Sequence, residues 1–191
     1  MKYLVGVDEV GRGPLAGPVA VGALVLKTKT SFGEIRDSKQ LSEKQREEIF
    51  ARIVAERQRG ALDFSVAFVS HKMIDKQGLT WALRTATARS LKRLAIPTGS
   101  KIFLDGGLRA PAHFKNQQTI IKGDEKIPVI ALASIVAKVT RDRLVIRLAK
   151  KYPQYGFEKH KGYGTKTHYK AIKKYGLCPI HRRSFLLKFQ R

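Results

Sequence analysis

Apolar residues change their spacing along this chain, and the changes mark its elements. Lys2–Val7 is apolar and β-branched and reads as a strand that runs into Asp8-Glu9. Gly11-Arg12-Gly13-Pro14 is a turn, and Val19–Leu26 is a second apolar strand, so the first two strands form a hairpin. Ser42-Glu43-Lys44-Gln45 has the form of a capping box and opens a helix to about Arg57, with Ile49, Ile53 and Val54 on one face. Leu62, Phe64, Val66 and Phe68 alternate with smaller or polar residues, the period of a third strand. A helix over Leu79–Leu94 stops before Pro97. Two short strands follow, Ile102–Leu104 before Asp105-Gly106-Gly107 and Thr119–Ile121 before Gly123-Asp124. From Leu132 a longer helix carries Ile135, Val136, Val139, Val145 and Leu148 on its apolar side. Neither an internal repeat nor a low-complexity linker divides the chain.

Composition adds a partner to this α/β pattern. The 191 residues suit one domain with a small appended element, and 43% hydrophobic residues are enough for a core. The formal net charge is +23, from 38 Lys and Arg against 15 Asp and Glu. Such a field attracts polyanions, either nucleic acid or an anionic membrane. Membrane is disfavoured. The uncharged run Pro14–Leu26 is too short to span a bilayer and is broken by Gly and Pro, and Val5–Val7 leads straight into two acids. A single cysteine, Cys178, excludes an intramolecular disulfide and a thiolate zinc cluster, and the expected setting is the reducing cytoplasm. A basic binding protein without activity fits these numbers equally well.

The charge is uneven. Residues 150–191 hold twelve of the Lys and Arg and one acid, Glu158. Tyr152, Tyr155, Phe157, Tyr163, Tyr169 and Tyr175 are interleaved with them, a mixture that suits a sugar–phosphate surface. A solvated Lys-rich tail is the plainer reading. The chain is expected to divide into an α/β part, residues 1–149, and a basic helical extension, residues 150–191, forming one compact unit.

In so basic a chain the few acids are informative by position. Glu43, Glu47, Glu48 and Glu56 sit beside Lys or Arg on a helix and read as surface pairs. Asp8-Glu9, Asp105 and Asp124 each follow a short apolar strand and stand near glycine. Strand ends present side chains to a cleft, and glycine lets a ligand approach. If the first, fourth and fifth strands are neighbours, these carboxylates converge, and converging carboxylates call for a cation. All-oxygen donors select Mg²⁺ or Mn²⁺ over zinc, and two such ions about 4 Å apart serve phosphodiester hydrolysis. Equally, Asp105-Gly106 and Gly123-Asp124 are ordinary turns and Asp8 caps a loop. Spacing alone leaves both readings open.

Ordered motifs add what spacing does not. Asp8-Glu9-Val10-Gly11-Arg12-Gly13-Pro14-Leu15-Ala16-Gly17-Pro18-Val19 resembles the N-terminal segment of ribonuclease HII, the type 2 ribonuclease H family. Asp37-Ser38-Lys39-Gln40-Leu41, Leu104-Asp105-Gly106, Lys122-Gly123-Asp124 and the block from Ala133 to Asp142 are similar to further segments of that family. So are Gly162-Tyr163-Gly164-Thr165 and His181-Arg182-Arg183-Ser184-Phe185. The matches run in order from residue 4 to about 185. One departure is Gly78, where the family usually shows Asn at the start of a helix.

The resemblance implies a ribonuclease H-like mixed five-stranded sheet flanked by helices, with a C-terminal helical extension. It implies that Asp8, Glu9, Asp105 and Asp124 bind two divalent ions, Mg²⁺ or Mn²⁺. It implies that Gly11-Arg12-Gly13 reads the ribose 2′-OH, that Tyr163 stacks on the next sugar, and that Ser38, Lys39 and Lys138 touch the backbone. Asp142, four residues after Lys138 on the helix, is a lesser candidate at the site, and a plain ion pair with Lys138 is the favoured reading. The five histidines share no ligand spacing and read as structural or surface residues. The implied activity is endonucleolytic cleavage of the RNA strand of RNA–DNA hybrids and of DNA 5′ to single ribonucleotides, by a monomer. Its rivals are an inactive binding protein, a two-metal nuclease indifferent to the 2′-OH, and an enzyme restricted to long hybrids.

Overall fold

The computed structural model describes residues 3–28, 32 and 41–187. Five strands form one mixed sheet: β1 (Leu4–Val10), β2 (Val19–Leu26), β3 (Leu62–Val69), β4 (Lys101–Asp105) and β5 (Gln117–Ile120), in the order β3-β2-β1-β4-β5. β1 pairs antiparallel with β2 and parallel with β4. β2–β3 is antiparallel and β4–β5 parallel. The first, fourth and fifth strands are therefore neighbours, as convergence of the acids requires.

Helices cover both faces. α1 (Glu43–Gln58) starts at the expected capping box, with Ser42 Oγ accepting from the Gln45 amide at 3.2 Å and the Ser42 amide donating to Gln45 Oε1 at 2.8 Å. α2 (His71–Gln77) and α3 (Leu79–Leu94) follow β3. Ala82, Leu83, Ala86 and Leu91 of α3 join Val5, Val7, Val21 and Leu104 in one core layer. After β5 come a single helical turn, α4 (Gly123–Lys126), and the long α5 (Pro128–Ala149). α5 fills the opposite layer with Leu24, Ile53 and Leu62.

Two glycines set how close α5 lies. A Cβ on Gly6 would stand 2.0 Å from the Val129 carbonyl oxygen, and one on Gly22 would stand 2.6 Å from that of Ala133. The helix backbone thus rests on the two central strands without an intervening side chain.

The remaining chain forms a 3₁₀ turn at Pro153–Tyr155, the short α6 (Phe157–His160), α7 (Lys166–Tyr175) and a 3₁₀ turn at Arg183–Phe185. These bury Tyr155, Phe157, Ile172 and Ile180 against Leu15, Ala16, Val145 and Ala149. Their core is thereby joined to the loop between β1 and β2 and to the end of α5. Among the described residues, no helix is long and apolar enough to cross a membrane.

Several boundaries differ from the sequence reading. β1 continues through Asp8 and Glu9 to Val10, because its β2 ladder runs on after the β4 ladder ends at Val7↔Leu104. α5 begins at Pro128 rather than Leu132; proline suits the first turn of a helix, where its missing N–H costs nothing. β5 ends at Ile120, leaving Ile121 75% exposed. Gly78 separates α2 from α3 at φ 82°, ψ 162°, a conformation that is essentially glycine's.

Candidate active site

The parallel strands β1 and β4 end at the same sheet edge, where open α/β sheets present ligands. β1 overruns β4 there, and the stretch that β4 leaves unpaired carries Asp8 and Glu9. Asp105 is the last residue of β4. One carboxylate oxygen from each of the three lies within 4.8 Å of the other two.

Each carboxylate is held. Asp8 is 4% exposed; its Oδ1 accepts from the Glu9 amide at 2.7 Å, and it is hydrogen-bonded to the Ser134 side chain of α5. Glu9 Oε1 accepts from Arg12 Nη1 at 2.9 Å, whereas its buried Oε2 has no hydrogen-bond partner among the described residues. Asp105 Oδ1 accepts from the Gly123 amide at 2.6 Å. Burial, the charge of Glu9 and that of Asp105 push the Asp8 carboxyl well above the usual carboxylate range. Burial raises Glu9 also, against the opposing pull of Arg12. A mutually repelling trio, with Asp8 buried, Glu9 and Asp105 half-buried and one oxygen unsatisfied, fits a hard divalent cation, which would remove both the repulsion and the desolvation penalty.

The trio opens into a cleft of about 540 Å³. Gly11, Arg12, Gly13, Lys138 and Tyr163 line it, so five residues drawn from three distant motifs meet at the acids. Ser38 and Lys39 lie outside the described residues.

A family model for ribonuclease HII matches residues 5–188. The chain is 49% identical to a ribonuclease HII of Ruminiclostridium cellulolyticum over 98% of its own length and 71% of that protein. It is 46% identical to one of Caldicellulosiruptor bescii over 97% of its length and 87% of that protein. The crystal structure of ribonuclease H2 from Pyrococcus horikoshii aligns with a TM-score of 0.73 at 29% identity, covering 99% of both chains. The chain belongs to the ribonuclease HII family. It is accordingly a metal-dependent endoribonuclease acting on RNA–DNA hybrids, and its mixed sheet is that of the ribonuclease H2 structures.

Two of the expected ribonuclease HII residues sit apart from the trio. Asp124 lies on α4, one residue beyond the amide that holds Asp105, and is 1% exposed. It belongs neither to the group within 4.8 Å nor to the cleft lining. Asp142 pairs with Lys138, Oδ2 to Nζ at 2.9 Å, and does not line the cleft.

Sequence reasoning missed two arginines. Arg141 and Arg182 are fully buried, and both spend their guanidinium groups on backbone carbonyls around the loop that carries Gly11-Arg12-Gly13. Arg182 donates from Nη2 to Gly11 O at 2.7 Å, from Nη1 to Arg12 O at 2.9 Å and from Nε to Gly17 O at 3.0 Å. Arg141 donates from Nε to Pro18 O at 3.0 Å and from Nη1 to Lys161 O at 3.2 Å. Gly11 is at φ 89°, and a Cβ there would stand 2.3 Å from Arg141 Nε. With its carbonyls turned inward to the arginines, the loop is fixed from beneath. Arg46 of α1 and Ser134 of α5 were also missed; both line the cleft. Ser134, Arg141 and Arg182 stand inside the blocks that resemble the family, which is the signal that could have found them; period and spacing mark none of the four, because Arg ordinarily reads as surface charge and Ser as filler.

Proposed function

We propose that this enzyme cuts duplexes 5′ to a ribonucleotide, including a single ribonucleotide embedded in DNA, and leaves 3′-hydroxyl and 5′-phosphate ends. The observation that carries the reading is the meeting of the Asp8–Glu9–Asp105 trio with a glycine-rich loop in one cleft that Arg12, Arg46 and Lys138 also line.

Asp8, Glu9 and Asp105, joined by Asp124 on the family's pattern, would hold two Mg²⁺ or Mn²⁺ ions. Those ions, when bound, supply an activated water and neutralise the charge that develops on the scissile phosphate. The water oxygen bonds to phosphorus as the P–O3′ bond breaks. The Gly11-Arg12-Gly13 backbone approaches the 2′-OH that only RNA offers. Arg182 and Arg141 support it by pinning that loop. Tyr163 is 37% exposed, with Lys138 Nζ and Arg141 Cζ each 5.8 Å from its ring centre, and would stack on the next sugar. Lys138, held by Asp142, and Arg46 face backbone phosphates, joined by Ser38 and Lys39 on the family's pattern. The basic residues of 150–187 extend this surface along the duplex, and the enzyme works as a monomer.

The test uses three labelled duplexes: all-DNA, an RNA–DNA hybrid, and DNA holding one ribonucleotide. Each is incubated with Mg²⁺, Mn²⁺ or EDTA and the cut is mapped. The reading expects cleavage of the second and third, on the 5′ side of the ribonucleotide, and none in EDTA. Cleavage of all-DNA at a comparable rate would overturn the 2′-OH reading. Inertness of the third duplex would restrict the enzyme to long hybrids.

A further inference from the structure

We propose that His181 and His168 are positioning residues that fix the Tyr163 backbone through a one-way chain of hydrogen bonds and act on the cleft through that residue. This rests on the reading of Tyr163 as the sugar-facing residue.

The two imidazoles are buried, His168 on α7 and His181 beyond it, with their Nε2 atoms 3.0 Å apart. The outer partners assign every proton. His181 Nδ1 lies 2.9 Å from the Cys178 amide, an obligatory donor, and 3.3 Å from the Cys178 carbonyl oxygen; the shorter contact gives that nitrogen the lone pair and puts the proton on Nε2, the one arrangement that lets the far end of the chain donate to a carbonyl. His168 Nε2 must therefore accept, which leaves its proton on Nδ1. That nitrogen lies 2.9 Å from the Tyr163 carbonyl oxygen, an obligatory acceptor. The chain reads Cys178 N–H to His181, His181 N–H to His168, and His168 N–H to Tyr163 O.

Its far end lands on the residue that matters to the cleft. Tyr163 O accepts a second bond from the Thr165 amide at 2.9 Å, and the Tyr163 amide donates to His160 O at 2.9 Å. The flanking backbone carries one strained residue, Lys161 at φ 51°, beside Gly162 at 87°. A Leu or Phe pair would fill the same space and leave the carbonyl without its histidine partner.

The relay needs both rings neutral, since protonating either would set two N–H groups face to face. The surroundings keep them so. His160 stacks on His168 with ring centres 4.4 Å apart, Tyr155 and Phe157 pack against His181, and Cys178 and His71 are polar neighbours of His181. Burial, against which none of these neighbours sets a carboxylate, pulls both imidazoles down to about 4.

The test is a double-mutant cycle on kcat/KM with DNA holding one ribonucleotide. Its variants are His168→Leu, Tyr163→Ala and their combination, with melting and circular dichroism as controls on folding. The relay expects His168→Leu to cost about tenfold alone, the scale of one lost hydrogen bond, and under about twofold in the Tyr163→Ala background. Equal losses in both backgrounds would overturn the relay alone. A Tyr163→Ala enzyme as active as wild type would overturn the sugar-facing reading and, with it, the relay's route to the cleft. Where His168→Leu does not fold, His168→Asn is set against His168→Gln. The Asn amide replaces the Nδ1 donor and the Gln amide does not, so the relay expects Asn to retain more activity, and parity or the reverse order would overturn it.

Discussion

Arg182 reaches across 171 positions of sequence to donate from Nη2 to the Gly11 carbonyl at 2.7 Å. The C-terminal part of the chain thereby sets the shape of the loop that borders the acid trio. A buried guanidinium spent on carbonyls, not on a carboxylate, is a device for holding backbone.

Arg182→Lys should therefore be far from conservative. A single ammonium cannot span the carbonyls of Gly11, Arg12 and Gly17, and at least one is left buried without a partner. We expect a loss of ~2–3 kcal/mol in unfolding free energy, the scale of one or two unsatisfied buried groups. We also expect kcat/KM on a hybrid to fall about a hundredfold from misplacement of the loop. Urea denaturation and steady-state kinetics on the same preparation check both.

Removing charge from the trio should trade activity for stability. The Asp8 carboxyl is buried beside Glu9 and Asp105 and disfavours its charged form. Asp8→Asn should therefore melt at a higher temperature than wild type in EDTA, by several degrees for ~1–2 kcal/mol from no longer burying that charge and from relieved repulsion. Millimolar Mn²⁺ should raise the wild-type melting temperature and leave that of the variant almost unchanged, since only a folded, intact site gains binding free energy. Calorimetry with and without metal decides it.

Acid should destabilise the core beneath Tyr163. His168 and His181 titrate at about 4 in the fold against an ordinary value of 6.5, so between those values the unfolded chain binds more protons. Stability should fall as pH drops from 6.5 towards 4, by up to ~1.4 kcal/mol per pH unit for each ring. Nitrogen-15 NMR at pH 6 should show both rings neutral, His168 protonated on Nδ1 and His181 on Nε2. An imidazolium signal from either at pH 6 would refute this.

The close seat of α5 on the sheet predicts a contrast between glycines. Gly22→Ala drives a methyl to 2.6 Å from the Ala133 carbonyl oxygen, and overpacking of this kind costs ~1–3 kcal/mol or more. Gly99→Ala meets nothing within 4 Å and should be neutral. Parallel denaturation curves test the pair.

These cases also show what a sequence can reveal. β2 at Val19–Leu26, α3 at Leu79–Leu94 and the Ser42 capping box are as expected, because each is written in local period and cap chemistry. α2 was missed: His71–Gln77 is too short to display a period, and its stop is a glycine that serves two helices. Asp8, Glu9 and Asp105 were legible as acids out of place, but their convergence depended on β1 and β4 being neighbours. Arg141, Arg182 and the His168–His181 pair were not legible in those terms. The contacts that join them to the rest of the site, Arg182 to Gly11, Arg141 to Pro18 and His181 to His168, span 171, 123 and 13 positions, and buried Arg and His carry no local mark that separates them from surface residues.

The central claim is that the acids at the ends of β1 and β4 perform the metal-dependent cleavage. Its most direct test is single-turnover cleavage of an RNA–DNA hybrid by Asp8→Asn in Mg²⁺ and in Mn²⁺. The account predicts a rate lower by about a thousandfold or more in both metals, with hybrid binding retained. Cleavage at the wild-type rate would contradict it.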